Sequence, residues 1–175
     1  LDVGTNSTID QAISGTGGLT TSGTGVIIVT GDMTYTGQTT IGSGATLNVV
    51  DAGGLSITSG VSNSGTLDIS NNLESTVSTA NVTGSGDVSL GDKTLELTAA
   101  NGAISGAVSG SGNLVLVEGD LTLSGNNTYS GSTTVQQGAT LTAASNDALG
   151  STAGSTTVEE GGTLALSGGV TIAED

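Results

Sequence analysis

The chain lacks most of the side chains on which enzymes and compact globular cores depend. Its 175 residues include no Cys, Pro, His, Phe or Trp, and Lys93 is the single basic residue. Without Cys there is neither a disulfide framework nor a thiolate metal site. The net charge of −15 argues against binding to nucleic acid or to anionic membrane surfaces, because nothing neutralises phosphates. The sequence contains no run of 18 apolar residues, so it predicts no membrane-spanning helix.

The same absences exclude the usual catalytic arrangements. Without His, Cys or Arg, the nucleophile–base pairs of hydrolases cannot be assembled. Polysaccharide lyases rely on a basic residue near calcium-bound carboxylates, and Lys93 alone is a poor candidate for that role. A glycosidase needs only two carboxylates, and 16 Asp and Glu are available. Since sugar sites usually also offer aromatic platforms, we expect no enzymatic activity.

Small apolar residues recur in a regular pattern between glycines. The chain has 31 Gly and is 34% hydrophobic, and its apolar residues form period-two pairs flanked by Thr, Ser, Asp or Asn. This pattern predicts short, half-buried strands that end in turns, with almost no helix. The pairs are Leu47/Val49, Leu55/Ile57, Leu67/Ile69, Val88/Leu90, Leu95/Leu97, Leu114/Leu116, Leu121/Leu123, Leu164/Leu166 and Val170/Ile172.

The spacing of these pairs predicts a β-solenoid. Leu67 follows Leu47 by 20 residues, and Leu164 follows Leu141 by 23 residues. A unit of about 20–23 residues with two or three short strands is typical of one solenoid turn, so the chain predicts an all-β parallel β-helix of roughly eight turns. The alternative is an antiparallel β-sandwich, but its hairpins favour Asn-Gly and Asp-Gly turns, and Asn101-Gly102 is the single such dipeptide.

One segment occurs twice. Residues 34–47 are TYTGQTTIGSGATL and residues 128–141 are TYSGSTTVQQGATL, identical at nine of fourteen positions and offset by 94 residues. This offset predicts about four solenoid turns between the copies. Because the shared residues recur together, we interpret them as structural, with the tyrosine hydroxyls facing outward. They are Tyr35, Gly37, Gly44, Leu47, Tyr129, Gly131, Gly138 and Leu141.

The longer context of the second copy resembles the passenger-associated transport repeat of bacterial autotransporters. Its segments are Gly110–Leu114, Leu121–Gly125, Asn126–Thr133 and Gly138–Leu141. The first copy departs from the family pattern at Asp32-Met33, where an Asn is expected before Thr-Tyr. The copies span about 15–49 and 110–143. The resemblance implies a right-handed parallel β-helix, with residues 1–175 forming a single solenoid segment of a longer secreted protein on the bacterial outer surface.

The resemblance also implies a role without specifying a partner. We expect a non-enzymatic extracellular stalk or scaffold that acts in adhesion or self-association, with a second copy or a cell-surface glycan or protein as its partner. The alternative is a structural subunit of an extracellular filament, built by end-to-end stacking of solenoids into a homopolymer, because an open solenoid end is an unpaired strand edge.

Calcium is the one ion worth considering, and the signal for it is weak. Asp87 and Asp92 flank a predicted strand, and Glu118 and Asp120 bracket a glycine. Carboxylates stacked on adjacent turns would offer the oxygen ligands that calcium prefers. However, no Gly-Gly-x-Gly-x-Asp calcium motif is present, so we interpret these residues as solvated turn carboxylates and expect no cofactor. Four asparagines are expected to bond backbone groups at the corners: Asn71, Asn72, Asn126 and Asn127.

Overall fold

The computed structural model describes residues 2–3, 6–50, 55 and 58–173, and these residues form a parallel β-solenoid. They contain twenty-two short strands and no helix. Every strand pairing in this part of the chain is parallel. The parallel pairing excludes the antiparallel sandwich and confirms the predicted solenoid of about eight turns.

The strands stack into three faces, which the chain visits in the order 1, 2, 3. Face 1 is a six-stranded sheet of β2 (Ser7–Ile9), β5 (Val26–Val29), β8 (Thr46–Val49), β10 (Thr66–Asp68), β13 (Asp87–Ser89) and β16 (Val108–Ser109). Face 2 contains β3 (Ile13–Gly15) and β6 (Met33–Tyr35), and further along β11 (Thr76–Thr79), β14 (Thr94–Leu97), β17 (Leu114–Leu116), β19 (Thr133–Val135) and β21 (Thr156–Val158).

Face 3 is the longest of the three. Its first sheet contains β1 (Asp2–Val3), β4 (Leu19–Gly23), β7 (Thr39–Ile41), β9 (Val61–Asn63) and β12 (Val82–Thr83). Its second sheet contains β15 (Ala100–Ile104), β18 (Gly119–Leu123), β20 (Ala139–Ala143) and β22 (Thr163–Leu166). A parallel bridge between Gly84 and Ile104 joins the two sheets, so face 3 continues along the described chain from β1 to β22.

The strand register matches the apolar spacing in the sequence. Leu47 pairs with Leu67, which pairs with Val88, and Leu141 pairs with Leu164. Like residues therefore stack above one another inside the coil, and the leucines and valines from residue 47 to residue 123 in the predicted pairs are at most 1% exposed where the structure describes them. Burial of each such side chain contributes about 1.5–3 kcal/mol, so these columns form the hydrophobic core.

The predicted pairs near residue 170 depart from this pattern. Leu166 is 57% exposed because β22 is the outermost strand of its sheet among the described residues. Val170 and Ile172 form no strand, so that prediction was wrong. The preceding coil carries a tight turn at residues 146–149 and so offers no straight ladder to pair with. Ile57 lies outside the described residues.

The two copies of the repeated segment lie on different faces. Leu47 belongs to β8 on face 1, whereas its counterpart Leu141 belongs to β20 on face 3. From Leu47 the face 1 register runs through Leu67, Val88 and Val108, each one coil apart. The chain then returns to face 1 once more and crosses face 2 to reach Leu141 on face 3. The offset is thus four and two-thirds turns, and the prediction of four turns was wrong. A strand–corner–strand motif fits any face, because all three faces use the same parallel ladder.

Candidate interaction surface

The repeat tyrosines point into the coil, which corrects the prediction that their hydroxyls face outward. Tyr35 is 1% exposed and Tyr129 is fully buried. The hydroxyl groups of Tyr35 and Thr39 share a hydrogen bond of 2.5 Å, and those of Tyr129 and Thr133 share one of 2.6 Å. Both threonines are also buried. A threonine four residues after the tyrosine therefore places its hydroxyl inside the coil, where it satisfies the phenol.

Burial of this pair affects the acidity of Tyr35. Loss of solvent around the phenol raises the pKa of Tyr35 above its usual value of 10, because burial disfavours the charged tyrosinate. The hydrogen bond with Thr39 acts in the opposite direction and is the smaller effect. Tyr35 is therefore neutral at physiological pH, and its phenol is a buried hydrogen-bonding group.

The repeat glycines serve two different geometric needs. Gly44 and Gly138 both have a φ of 83°, in turns closed by hydrogen bonds from Ala45 to Gly42 and from Ala139 to Gln136. That left-handed conformation strongly favours glycine. By contrast, Gly37 and Gly131 press against the neighbouring coil, and a Cβ at either position would collide with backbone atoms, of Gly17 and Gly112 respectively.

Two of the four predicted corner asparagines bridge neighbouring coils. Asn72 is buried and its amide donates a hydrogen bond to the Val49 carbonyl at 3.1 Å. Asn127 accepts a hydrogen bond from the Val108 backbone N–H at 2.9 Å and donates one to the Ala148 carbonyl at 2.6 Å. These side chains replace backbone ladder bonds where the chain is not a strand. Asn71 and Asn126 are exposed.

The carboxylates of the first pair of calcium candidates bond different partners. The Asp87 carboxylate accepts a hydrogen bond from the Ala107 backbone N–H at 2.9 Å. Asp92 is exposed and forms an ion pair of 2.9 Å with Lys93. The hydrogen bond and the positive charge of Lys93 lower the pKa of Asp92. Each carboxylate already has a local structural partner.

The second pair of calcium candidates lies at the corner between faces 2 and 3. Glu118 lines an open cleft of about 490 Å³ with Gln136, Gln137 and Glu159. Asp120 projects from β18, where it pairs in register with Asn101 and Thr140. No group of three or more carboxylates that would hold a metal ion is present among the described residues. The calcium site stays a weak prediction.

The most regular outward surface is a ladder of small residues along face 3, which we call the face 3 ladder. It contains one residue from each of eight successive coils, and none of these residues is charged. In register order they are Thr20, Thr40, Ser62, Thr83, Ala103, Thr122, Thr142 and Ala165. At about 4.8 Å per coil, eight residues extend over roughly 34 Å.

The outward positions of the other two faces are more varied. On face 1, Asn48 donates a hydrogen bond of 2.8 Å to Asp68 in the next coil. On face 2, the Ser78 hydroxyl donates one of 2.7 Å to Glu96. Charged side chains thus occupy the central outward columns of both faces. The face 3 ladder differs because it is free of acids in a chain that contains 16 of them.

The sequence contains a signal for the face 3 ladder that pattern analysis missed. Thr20 and Thr40 are 20 residues apart, as are Thr122 and Thr142. The period matches the apolar period, but Thr and Ser are so frequent throughout the chain that the outward column is not distinguishable without the register. Only the strand pairing identifies which hydroxyl residues share a face.

A family comparison agrees with the coiled architecture. The model of the passenger-associated-transport-repeat family matches residues 19–49 and 118–143. Two segments of the chain thus match the passenger-associated transport repeat. These matches end at the same residues as the copies delimited from the sequence and begin four and eight residues later. Both matched segments include the Tyr–Thr pair and the glycine turn, so the buried contacts described above belong to the repeat.

The repeats suggest the scaffold of an autotransporter passenger, and their family implies a surface or extracellular location. No curated protein and no solved structure matches the chain significantly. A helix able to cross a lipid bilayer does not occur in the part of the chain that the structure describes.

Proposed function

We propose that this segment is a non-enzymatic extracellular scaffold of an autotransporter-like surface protein, which associates with a second copy of itself through face 3. The passenger-associated transport repeats support the surface scaffold. The uncharged face 3 ladder supports the contact, and it is the observation that carries the proposal. Adhesion to a glycan or protein on another cell is the wider role in which such a scaffold acts.

The face 3 ladder suits contact between two molecules of the same charge. Each molecule carries a net charge of −15, so most approaches of two copies bring carboxylates together. Contact along uncharged Thr, Ser and Ala residues reduces that repulsion, and Asp120, two positions before Thr122 in β18, is the acid that lies beside the ladder in that strand. The hydroxyls of Thr83, Thr122 and Thr142 form no hydrogen bond within the described residues, so they remain able to bond a partner. Many weak contacts of this kind over roughly 34 Å give a modest, reversible association.

Sedimentation velocity over a series of protein concentrations tests this proposal. Thr142→Glu places a carboxylate in the face 3 ladder and is expected to weaken dimer formation. Thr134→Glu is the matched control, because Thr134 is a half-buried outward residue in the middle of β19 on face 2. A wild-type chain that remains monomeric at all concentrations, or equal effects of the two variants, would contradict association through face 3.

End-to-end stacking into a filament is the second candidate. The outer edges of β21 and β22 pair with no other strand in the described chain, and Val158 and Leu166 are 41% and 57% exposed there. Exposed strand edges and apolar residues favour addition of another chain. Electron microscopy at two concentrations distinguishes the candidates, because stacking gives filaments of solenoid width, whereas contact through face 3 gives side-by-side rods.

A further inference from the structure

One concave site interrupts the regular surface of the solenoid. On face 1 the strands end at Ser109, and the next two coils, at residues 126–130 and 145–151, form no strand. The chain there remains attached by backbone bonds, such as Thr128 to Val108 at 2.8 Å. The coil from Leu141 to Leu164 is 23 residues long, against 19–20 for the three before it. Its extra residues form a tight turn that opens a cleft of about 360 Å³.

The surface of the cleft mixes polar and apolar atoms, and most of its lining residues carry an uncharged polar side chain. The lining residues whose side-chain polar groups form no hydrogen bond within the described residues are Asn126, Thr128, Asp147, Ser151 and Thr152. The Ser151 Oγ is buried and has no hydrogen-bond partner among the described residues. Asn146 accepts a hydrogen bond from the Thr171 backbone N–H at 3.0 Å, which fixes one wall. A buried hydroxyl without a partner costs free energy, so a ligand that reaches it through a small shift of the cleft wall gains affinity.

The cleft is distinct from the structural asparagine beneath it. Asn127 also borders the cleft, but both ends of its amide already bond backbone groups of the coils on either side. It therefore forms the floor and holds the two coils together. The groups available to a ligand are those of its neighbours, which differ from it in being exposed or unpartnered.

The chemistry of the lining selects the class of ligand. Asp147 is the single charged residue of the cleft, and no cation lies there to bind a phosphate or carboxylate. One carboxylate is too few for a metal ion that requires six or more oxygen ligands. Apart from glycine, Ala173 is the only side chain of the lining without a polar atom, but carbon atoms of the other residues also line the cleft, so a fitting ligand offers apolar as well as polar surface. Amide, hydroxyl and carboxylate groups at close range match a ligand with several neighbouring hydroxyls.

We infer that this cleft binds the hydroxyl groups of a neutral saccharide. The Asp147 carboxylate accepts hydrogen bonds from sugar hydroxyls, while the Asn126 amide and the Ser151 and Thr152 hydroxyls donate and accept. The volume lies at the small end of the roughly 300–1,000 Å³ typical of ligand sites, which suits one or two sugar rings. The inference deepens the adhesive part of the proposed function and is independent of the face 3 ladder.

Saturation-transfer NMR tests saccharide binding directly. The wild-type chain is mixed in turn with glucose, galactose, mannose, lactose and maltose, and the sugar with the strongest signal is titrated for its Kd. Asp147→Ala is expected to weaken binding by about tenfold or more, since hydrogen bonds to charged groups are the stronger ones. Asp120→Ala is the matched control, because it removes one exposed carboxylate on face 3 and is expected to leave the Kd unchanged.

Ser151→Ala separates a binding role from a structural one. Because the Ser151 Oγ is buried without a partner in the described structure, its removal is expected to leave the unfolding midpoint unchanged or raise it, while weakening saccharide binding. Absence of saturation transfer from all five sugars, or an unchanged Kd in Asp147→Ala and Ser151→Ala, would overturn the inference. Sedimentation of the same variants distinguishes this failure from failure of the proposed function, because dimer formation through face 3 involves neither residue.

Discussion

Tyr35 and Tyr129 each bury a phenol inside a coil that otherwise contains small aliphatic side chains. Each phenol meets the hydroxyl of a threonine in an inward column, where the neighbouring coils supply Val61 next to Thr39 and Leu114 next to Thr133. A buried hydroxyl without a partner is costly, whereas a bonded pair is close to neutral. The tyrosine and the threonine of the repeat therefore depend on each other, which explains why both recur in the two copies.

Replacement of either partner of the Tyr35–Thr39 pair is expected to destabilise the fold by about 1–3 kcal/mol, because the other hydroxyl is left unpaired. In Tyr35→Phe the hydroxyl of Thr39 loses its hydrogen-bond partner, and in Thr39→Val the hydroxyl of Tyr35 loses its partner. The double variant is expected to lose less than the sum, since both polar groups are removed together. Denaturant unfolding measures the three free energies, with Thr40→Val on the outer surface as the control. Strictly additive losses would show that the hydroxyls are not coupled.

Stability is expected to fall in alkaline solution because of the same tyrosine. The pKa of Tyr35 in the folded chain is raised above the value of 10 expected when the chain is unfolded. Its contribution is fully present below pH 10 and is lost as the pH rises through the folded-state pKa, since the unfolded chain releases the proton more readily. Denaturant unfolding on both sides of pH 10 measures the effect. Tyr35→Phe should show a smaller alkaline loss, and an equal loss would assign it to other groups.

At the scale of the element, each strand is short because a corner follows it within a few residues. The corner at Gly44 and the corner at Gly138 share a φ of 83° and the same closing hydrogen bond across the turn. The next coil then lies against glycines such as Gly131, whose missing side chain lets two backbones approach. Conformation and close approach are thus separate reasons for glycine within one repeat.

Alanine substitutions are expected to separate these two reasons. Gly138→Ala has open space for its methyl group but must hold a positive φ, which costs about 1–2 kcal/mol. Gly131→Ala must push the backbone of the Gly112 coil away and is expected to cost more. Thermal unfolding followed by circular dichroism gives the two midpoints. A larger loss for Gly138→Ala than for Gly131→Ala would contradict this assignment.

The segment before the tyrosine shows how one element can be built in two ways. In the first copy Met33 begins β6, is 2% exposed and pairs in register with Ile13. In the second copy the equivalent Asn127 lies outside any strand and bonds the neighbouring coils through its side chain. The departure of the first copy from the family pattern therefore exchanges an amide bridge for an apolar strand at the same buried position.

At the scale of the whole molecule, the rotation of the repeat changes what the surface presents. Because the copies are offset by four and two-thirds turns, equivalent outward residues appear on different faces. The face 3 ladder therefore comes from the solenoid stacking as a whole, with contributions from Ser62 and Ala103 outside both matched segments. The repeats supply strands and corners of individual coils, and the stacking of the coils brings the ladder residues into one column.

Self-association is expected to strengthen as salt is added. Two copies with a net charge of −15 repel each other over about 30 Å at 0.01 M salt, but over about 8 Å at 0.15 M. The proposed contact through the face 3 ladder offers no ion pair for salt to weaken, because no residue of the ladder is charged. Sedimentation velocity at the two salt concentrations measures the dimer constant, with Thr142→Glu as a variant expected to be more sensitive to salt. Weaker association at the higher salt concentration would indicate a contact made by charges.

The predictions that succeeded concern the interior of the coil. Stacking places like side chains one period apart, so the leucines at residues 47, 67, 95 and 114 reveal the coil length directly. The two failed predictions about the repeat concern which way a side chain points and which face of the coil a residue occupies. Whether Tyr35 points inward depends on the Thr39 hydroxyl that bonds its phenol, and the face that carries Leu141 depends on every coil length before it. The cleft at Ser151 requires the register as well, because its walls come from residues 126–128 and 146–152.

The sequence by itself determined the parallel β-solenoid, because apolar periodicity and glycine corners are local properties. Only the tertiary structure decided which residues share a surface. A change of one or two residues in a single coil shifts every later residue around the axis, so the face 3 ladder, the rotated second repeat and the cleft beside Asp147 follow from the accumulated lengths of the coils.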